Sequence, residues 1–426
     1  MSVLVPVVLI LLAILGAPLF AVIAAGALWG YYQSEIPLMV IATEVYRVAE
    51  MPILLAIPLF TFAGYILSES GAPGRLVRLT NALLGWMPGG LAIVALVACA
   101  FFTAFTGASG VTIIALGALL FPALKQAGYG ENFSLGLVTT SGSLGLLFAP
   151  SLPLILYGIV AQQMSVGRSV SIDDLFLAGI FPGLLMLVLL GGWSLWANRH
   201  GRVPLVSYSA AKLKEALRES IWELPLPVIV LGGIYSGYFA VSEAAAVTAL
   251  YVIVVEVFIL REISLKNLPS IMRNSMLLVG GVLIILAVSL ASTNYMIDAE
   301  VPARLFAYVK EKISSPLSFL LLLNVFLLVL GAVLDIFSAL VLIVPLLLPI
   351  AVQYGIDPVH LGIIFLANMQ LGYSTPPVGL NLFIASFRFE RPIMQIYVAT
   401  LPFLLILLAS VLIITYWPTL SLVLVR

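Results

Sequence analysis

The chain carries one pattern of apolar segments twice. In each copy an apolar segment ends at a short tip of glycine or polar residues, a second apolar segment follows, and a third segment is interrupted at proline. The spacing is nearly constant, since Gly107 and Asp335 are 228 positions apart and Gly136 and Gly362 are 226 apart. Two halves with Gly/Pro-interrupted apolar segments at corresponding positions are the best sequence pointer to the binding site of a secondary transporter. The pattern therefore predicts a transporter built from two related halves.

Composition places this pattern in a lipid bilayer. Hydrophobic residues make up 62% of the chain, charged residues make up 9%, and the formal net charge is zero. A soluble domain carries about 25% charged residues, and apolar runs of about 20 residues indicate membrane spans. We therefore expect an all-α polytopic membrane protein with about 11 spanning helices and no nucleic acid as a partner. The lone Cys99 allows no intrachain disulfide, and His200 and His360, expected in separate loops, suggest no metal cluster.

The apolar segments divide the chain into two repeats. Val3–Trp29 is expected as the first spanning helix. Gly74–Trp86 and Pro302–Ile313 are amphipathic and precede each copy at matching places, which favours helices lying at the membrane interface. The basic loop Asn198–Trp222 is expected in the cytoplasm by the positive-inside tendency. The predicted organisation of the single transport domain 1–426 is a first repeat at 52–198 (hairpin 89–126, broken helix 134–161), a cytoplasmic loop and central helices at 199–275, and a second repeat at 276–426 (hairpin 317–353, broken helix 359–386).

Small and hydroxyl residues in the first repeat are candidates for ion binding. They lie in the first tip, Thr106–Gly110, and in the first break, Gly142–Ser151. Irregular backbone at membrane depth is tolerated only where it is buried in protein or lines a wet cavity. There it offers carbonyl and hydroxyl oxygens, the ligands that a hard cation such as Na⁺ prefers. The alternative is an ordinary helix crossing, with small residues that allow close packing.

Asp335 opens the second tip, Asp335–Ser338, within an otherwise apolar run. An aspartate at mid-membrane costs about 2.5–3.5 kcal/mol on insertion scales, so such residues are usually functional and partnered. We expect Asp335 to take part in ion binding. The alternative is a helix cap, in which the carboxylate accepts backbone N–H groups, and both roles can coexist.

The second break, Asn368–Asn381, is the richest polar stretch in an apolar environment. Its consecutive prolines, Pro376 and Pro377, remove two backbone donors and leave upstream carbonyls unpaired. Those carbonyls, with Ser374 and Thr375, can coordinate a cation, and the helix that begins after the prolines can face an anion. The alternative is a structural kink satisfied by neighbouring hydroxyls.

These stretches resemble the large membrane subunit of TRAP transporters (tripartite ATP-independent periplasmic transporters), the DctM-type permease. The resemblance covers essentially the whole chain, and its most specific string is Thr375–Phe383, TPPVGLNLF. Less specific strings support it at Ile57–Phe60, Gly89–Ala92, Pro150–Gly158, Ala178–Gly183 and Glu243–Ala246.

The resemblance implies an elevator-type secondary transporter, not an enzyme, with two re-entrant helical hairpins in inverted repeats and separate scaffold and transport bundles. It implies a multi-pass protein of the bacterial inner membrane that takes up an organic acid, such as a C4-dicarboxylate or sialic acid. Na⁺ would be the coupling ion, with no other cofactor. The implied partners are a small four-helix membrane subunit and a periplasmic substrate-binding protein.

The resemblance also assigns site residues by position. The first Na⁺ site would involve Thr106, Gly107, Ala108 and Ser109 at the first tip, with Gly145, Phe148 and Pro150 at the first break. The second would involve Asp335, Ser338, Gly372, Ser374 and Thr375, and the substrate would lie near Ser143, Ser151 and Asn381. Family members often have serine where Ala108 stands, so Ser109 or a carbonyl would supply that ligand here.

Three other readings remain open from the sequence. A stand-alone Na⁺/dicarboxylate carrier shares hairpins and broken helices but needs no binding protein. An integral-membrane enzyme is disfavoured, because the sequence offers no cluster of His, Asp, Glu or Cys. A channel would conduct without saturable, Na⁺-linked uptake. Periodicity also leaves open whether the hairpins re-enter or cross fully, because each arm is near spanning length.

Overall fold

The computed structural model of the protein describes residues 4–87, 89–164, 166–199, 209–313 and 315–425. Over these residues the chain is helical and contains no β-strand, which confirms the all-α expectation. The helices of the first half are α1 (Leu4–Ile14), α2 (Leu19–Gln33), α3 (Met39–Ala49), α4 (Ala56–Glu69), α5 (Ala72–Leu84), α6 (Gly90–Thr106), α7 (Ser109–Gln126), α8 (Glu131–Ser141), α9 (Leu152–Met164), α10 (Ile172–Ala197) and α11 (Ala210–Glu219). Those of the second half are α12 (Pro225–Tyr235), α13 (Val241–Ile253), α14 (Leu268–Asp298), α15 (Val301–Lys312), α16 (Pro316–Val333), α17 (Ile336–Gln353), α18 (Pro358–Gly372), α19 (Leu380–Phe389), α20 (Ile393–Tyr416) and α21 (Thr419–Leu422).

Long apolar helices make this a multi-pass membrane protein. Within the described ranges, eight helical segments have the length and hydropathy of a membrane span, and the bent pair Glu131–Leu147 and Leu152–Met164 would make a ninth. Shorter apolar helices such as α2, α6 and α18 have 15, 17 and 15 residues. The figure of about 11 spans therefore stays a prediction, because it depends on how many of these shorter helices cross the bilayer.

The expectation of one spanning helix at Val3–Trp29 is wrong. The described part of this stretch forms two helices, because α1 ends at Ile14 and α2 begins at Leu19. Gly16 between them has a φ of +90°, a conformation that glycine adopts without steric cost. Pro18 follows and has no N–H to continue the helical hydrogen bonding.

Both predicted amphipathic segments are helices, α5 and α15. The first is fastened to the neighbouring helices by Arg75, whose guanidinium is buried among three carboxylates. Its Nε donates to Glu223 at 2.6 Å and one Nη donates to Glu256 at 3.3 Å, while the other Nη donates to Glu262. Burial raises the pKa of the Glu223 carboxyl, and the charge of Arg75 opposes that shift. The cluster ties α5 to the segments around α12 and α13.

The remaining helices pack in two groups. We call α2, α4, α13 and α14 the scaffold, because α4 packs on α13 and α14, and α2 packs on α14. We call α6–α10 and α16–α20 the bundle, in which α9 packs on α17, α8 on α20 and α16 on α18. The two groups meet where α4 contacts α6, α7 and α9 and where α14 contacts α17.

His360 lies in a helix and not in a loop, which corrects the sequence expectation. It is 2% exposed on α18, where Nδ1 lies 3.2 Å from Ser421 Oγ and Nε2 lies 3.3 Å from the Thr415 carbonyl oxygen. The ring joins the end of α20 to α18. His200 lies outside the described residues.

Candidate ion and substrate site

The first hairpin turns at Gly107 and Ala108, between α6 and α7. Gly107 has a φ of +65°, and a Cβ there would lie 2.6 Å from the side chain of Leu152. Only glycine fits both constraints without strain. No side chain caps the start of α7 at Ser109, so the first N–H groups of this helix stay available to a ligand.

The second hairpin turns at Leu334 and Asp335, between α16 and α17. Asp335 is the cap of α17, because Oδ1 accepts the N–H groups of Phe337 and Ser338, each at 3.0 Å. The Ile336 N–H donates to the hydroxyl of Tyr373 at 2.7 Å. The capping role weighed for Asp335 is thus present, and its carboxylate is exposed. Ion binding by Asp335 stays a prediction.

The first break is seated on the first hairpin. After α8 a short 3-10 turn spans Leu144–Leu147, and α9 begins at Leu152. A Cβ on Gly145 would collide with the carbonyl oxygen of Ala100 in α6, so glycine permits this close approach. Thr103 Oγ1 also lies 2.8 Å from the Gly142 carbonyl oxygen. The packing therefore fixes the break beside the first tip.

The second break is seated on the second hairpin in the same manner. A Cβ on Gly372 would lie 2.6 Å from the backbone of Gly331 in α16. The Gly379 N–H donates to the Ala332 carbonyl oxygen at 3.0 Å. The backbone between α18 and α19 is thereby held against the arm that leads to the second tip.

The two halves meet at their broken helices. The ring of Tyr157 in α9 packs on Gly362 of α18, where a Cβ would lie 2.5 Å from a ring carbon. Ser143 Oγ lies 3.5 Å from the Gln370 carbonyl oxygen and 3.3 Å from that of Thr140. The fold thus brings residues more than 200 positions apart into one region.

Both tips face one cavity of about 340 Å³. Of the predicted site residues, Gly107, Ala108, Ser109 and Asp335 belong to its wall. The other wall residues are Tyr65, Gly110, Val111, Ile114, Leu146, Leu278, Ile336, Phe337, Tyr373 and Leu380. Asp335 is the one formal charge among these wall residues.

Several buried polar atoms without a protein partner lie in the tips and breaks, and others lie elsewhere in the described chain. Within the described residues those in the tips and breaks include Thr106 Oγ1, Ser151 Oγ, Ser374 Oγ and both side-chain polar atoms of Asn381. Each of these four residues is fully buried. A buried polar group without a partner costs about 1–3 kcal/mol, so native proteins rarely keep one without a functional reason. All four were predicted as ion or substrate ligands.

Apart from Gly107, Ala108, Ser109 and Asp335, the predicted site residues, including the four with unpartnered atoms, are not in the cavity wall. Thr375 donates its hydroxyl to the Leu371 carbonyl at 3.0 Å, and Phe148 packs its ring where a Cβ on Gly183 would lie. Gly145, Pro150, Ser143, Ser338 and Gly372 are buried behind the wall. Their roles as ligands stay predictions.

Sequence reasoning assigned no role to the other wall residues of the cavity, among them Tyr65, Leu278 and Tyr373. Tyr65 and Leu278 belong to α4 and α14 of the scaffold and stand in ordinary apolar helices, which give no signal of a site. Tyr373 lies inside the second break, so its place beside Gly372 could have indicated it.

Helix ends set the electrostatics of this region. The C-termini of α6 and α16 reach the tips with their partial negative charge, whereas α7 and α17 begin there with partial positive charge. Carbonyl ends favour a cation and N–H ends favour an anion. The arrangement can therefore hold a cation and an anion near each other.

Comparison with known proteins places this geometry in a family. The profile described as "Tripartite ATP-independent periplasmic transporter, DctM component" matches residues 5–420. The C4-dicarboxylate TRAP transporter large permease protein DctM of Rhodobacter capsulatus is 34% identical over 403 residues, covering 92% of this chain and 91% of that protein. The isethionate TRAP transporter permease protein DctMQ of Oleidesulfovibrio alaskensis is 34% identical over 404 residues, covering 94% of this chain and 61% of that protein.

A solved structure shares the fold. The YdaH transporter of Alcanivorax borkumensis, whose crystal structure was described as having an unusual topology, aligns with a TM-score of 0.63 at 15% identity. The alignment covers 90% of this chain and 88% of that chain. At this identity the likeness concerns the fold alone.

Proposed function

We propose that this chain, which belongs to the DctM family and is the large permease of a tripartite ATP-independent periplasmic transporter, couples uptake of an organic acid anion to an inward Na⁺ gradient. A periplasmic binding protein delivers the acid, and a small four-helix membrane subunit completes the complex in the bacterial inner membrane. C4-dicarboxylates are the first substrates to test, because the R. capsulatus relative carries that name. Isethionate and sialic acid follow.

The observation that carries this proposal is the cavity shared by the two tips. A pore or an enzyme does not need two related hairpins whose tips converge on one chamber. In secondary transporters the substrate and the coupling ions bind where the two repeats meet at interrupted helices, and the two tips and breaks of this chain meet in that way. The buried, unpartnered groups at Thr106, Ser151, Ser374 and Asn381 lie in the same tips and breaks.

The two Na⁺ sites are proposed at the carbonyl ends of the tips and breaks. The first uses oxygens of the first tip and first break, where Thr106 Oγ1 has no protein partner. The second uses the Asp335 carboxylate with Ser338, Ser374 and Thr375 and the backbone at Gly372. Bound Na⁺ offsets the partial negative charge of the helix C-termini that meet there.

The acid is proposed to bind between the ions, near Ser143, Ser151 and Asn381. Asn381 is the second residue of α19. Its carboxamide is fully buried and has no hydrogen-bond partner within the described residues. The uncapped start of α7 supplies further N–H donors toward an anion. An anion and two cations in one site compensate each other's charge in a low-dielectric setting.

Transport is proposed to move the bundle against the scaffold. One close approach between them is at Gly64 of α4, where a Cβ would lie 2.7 Å from Thr106 Cα. A smooth backbone contact of this kind suits sliding better than interlocked side chains do. Tyr65 of the scaffold lines the cavity near the C-terminal end of α4. The next helix, α5, packs on α11 of the basic loop. This position supports release of substrate on the cytoplasmic side.

The test is uptake of labelled acids into proteoliposomes that contain this chain and its small subunit. A purified binding protein and a Na⁺ gradient are each supplied or omitted. Uptake that requires all components supports the proposal and identifies the acid. Uptake by this chain alone would show a stand-alone carrier, and uptake without Na⁺ dependence would refute the coupling.

A further inference from the structure

Tyr373 joins the second break to the second tip. Its side chain is 3% exposed and forms part of the cavity wall. Its phenolic oxygen accepts the Ile336 N–H at 2.7 Å. It lies between Gly372 and Ser374, both of which belong to the proposed second Na⁺ site, whereas Tyr373 itself has no role in that site.

The hydrogen bonds at the start of α17 show why this contact matters. The first N–H groups of a helix have no acceptor inside the helix. Asp335 accepts those of Phe337 and Ser338, and Tyr373 accepts that of Ile336. Asp335 belongs to the hairpin itself, whereas Tyr373 reaches the tip from α18. The hydroxyl of Tyr373 is therefore a link between two elements that meet at the cavity.

The same hydroxyl can also donate a hydrogen bond. A phenol can accept hydrogen bonds and donate one. The bond from Ile336 uses its oxygen as an acceptor, and no hydrogen bond among the described residues takes its proton. Because Tyr373 belongs to the cavity wall, a donor of this residue that has no protein acceptor is available to an anionic ligand in the cavity, and charge-assisted bonds are the stronger ones.

We propose that Tyr373 is a substrate-binding residue, whose O–H donates to the anionic group of the acid while its oxygen holds the second tip on the second break. This inference rests on the proposed function. Hydrogen bonds in a chain strengthen one another, so donation to the anion makes the oxygen a better acceptor for Ile336. Substrate binding thus strengthens the hydrogen bond that holds the second tip on the second break. The loaded and empty states then differ in the strength of this bond to Tyr373.

The transport test uses Tyr373→Phe, which keeps the ring and removes the hydroxyl. The matched control is Tyr251→Phe, because the Tyr251 hydroxyl also bonds a backbone group, the Trp222 carbonyl oxygen at 2.9 Å, but Tyr251 lies outside the cavity wall. We expect KM for the acid to rise about 10- to 100-fold in Tyr373→Phe, the range for losing a bond to a charged group. The control should stay within about twofold. An unchanged KM in Tyr373→Phe, or an equal rise in both variants, would overturn substrate binding by this hydroxyl.

The closure test needs no transport. Phe337→Cys places a thiol on the second tip, where Phe337 forms part of the cavity wall, while the native Cys99 is 1% exposed. Its labelling by a water-soluble maleimide should be several-fold faster when Tyr373→Phe is added, and the Tyr251→Phe control should not change it. Saturating acid should slow labelling in the parent but not in Tyr373→Phe. Equal labelling rates with and without Tyr373→Phe would overturn the link between Tyr373 and the second tip. If the protein that keeps Tyr373 takes up no acid, the proposed function is overturned, and the labelling rates still decide the link.

Discussion

Removing the charge of Asp335 without removing its cap separates its two roles. In the structure Oδ1 accepts two N–H groups at 3.0 Å, and an asparagine at a helix N-cap is about as favourable as an aspartate. We therefore expect Asp335→Asn to change the free energy of unfolding by less than about 0.5 kcal/mol. Asp335→Ala loses the cap as well and should cost about 1 kcal/mol.

The effect on Na⁺ follows from the charge. A unit charge about 4 Å from Na⁺ contributes about 1 kcal/mol in a water-like medium and about 4 kcal/mol near a protein surface. Asp335 is exposed in the cavity, so screening favours the lower part of this range. The half-saturating Na⁺ concentration should rise about tenfold in Asp335→Asn.

The assay is the Na⁺ dependence of uptake in proteoliposomes, with thermal unfolding of the same samples. The control is Asp357→Asn, since Asp357 caps α18 through bonds from Val359 at 2.8 Å and His360 at 3.3 Å but is not in the cavity wall. Asp357→Asn should leave Na⁺ dependence unchanged. If Asp335→Asn also keeps the wild-type Na⁺ dependence, Asp335 is a cap and the second ion site is wrongly assigned.

Two further substitutions test how the site and its arm are held. Gly145→Ala should destabilise the protein by about 1–3 kcal/mol, because its Cβ would collide with the Ala100 carbonyl oxygen, and thermal unfolding would measure this against Gly191→Ala, which has open space. Equal stabilities of the two variants would contradict the close packing of the first break. Arg75→Met should cost about 3–5 kcal/mol, because three carboxylates lose their buried cation. Arg78→Met, which breaks an exposed pair, should cost less than about 1 kcal/mol, and a similar loss in both would show that burial of the Arg75 cluster does not matter.

Much of the fold could be predicted from residues that act locally on the backbone. At Gly107, Pro150 and Asp335 a glycine, a proline or a capping aspartate stands where a helix stops, so these three interruptions could be placed from the sequence. The same reasoning failed at Val3–Trp29, because the long apolar run outweighed Gly16 and Pro18. It also failed at His360, because the local sequence does not show that this histidine will form hydrogen bonds with Ser421 and Thr415 in the folded protein.

Long-range contacts explain what could not be predicted. The cluster of Arg75 with Glu223, Glu256 and Glu262 joins residues up to 187 positions apart, and no local pattern marks their meeting. Tyr65 was equally hidden, since its helix looks like any other apolar helix. Such residues acquire a role only when packing brings them to a shared surface.

The sequence by itself determined that this chain is a membrane protein, and it showed one pattern of apolar segments twice, with the interruption of the helices marked in each copy. Those properties depend on hydrophobic length and on backbone chemistry, which are local. The tertiary structure decided that both tips open on one cavity, that the broken helices cross at Tyr157 and Gly362, and that Tyr373 reaches the second tip. These depend on which surfaces pack together, and close packing is a property of the whole fold and not of any one segment.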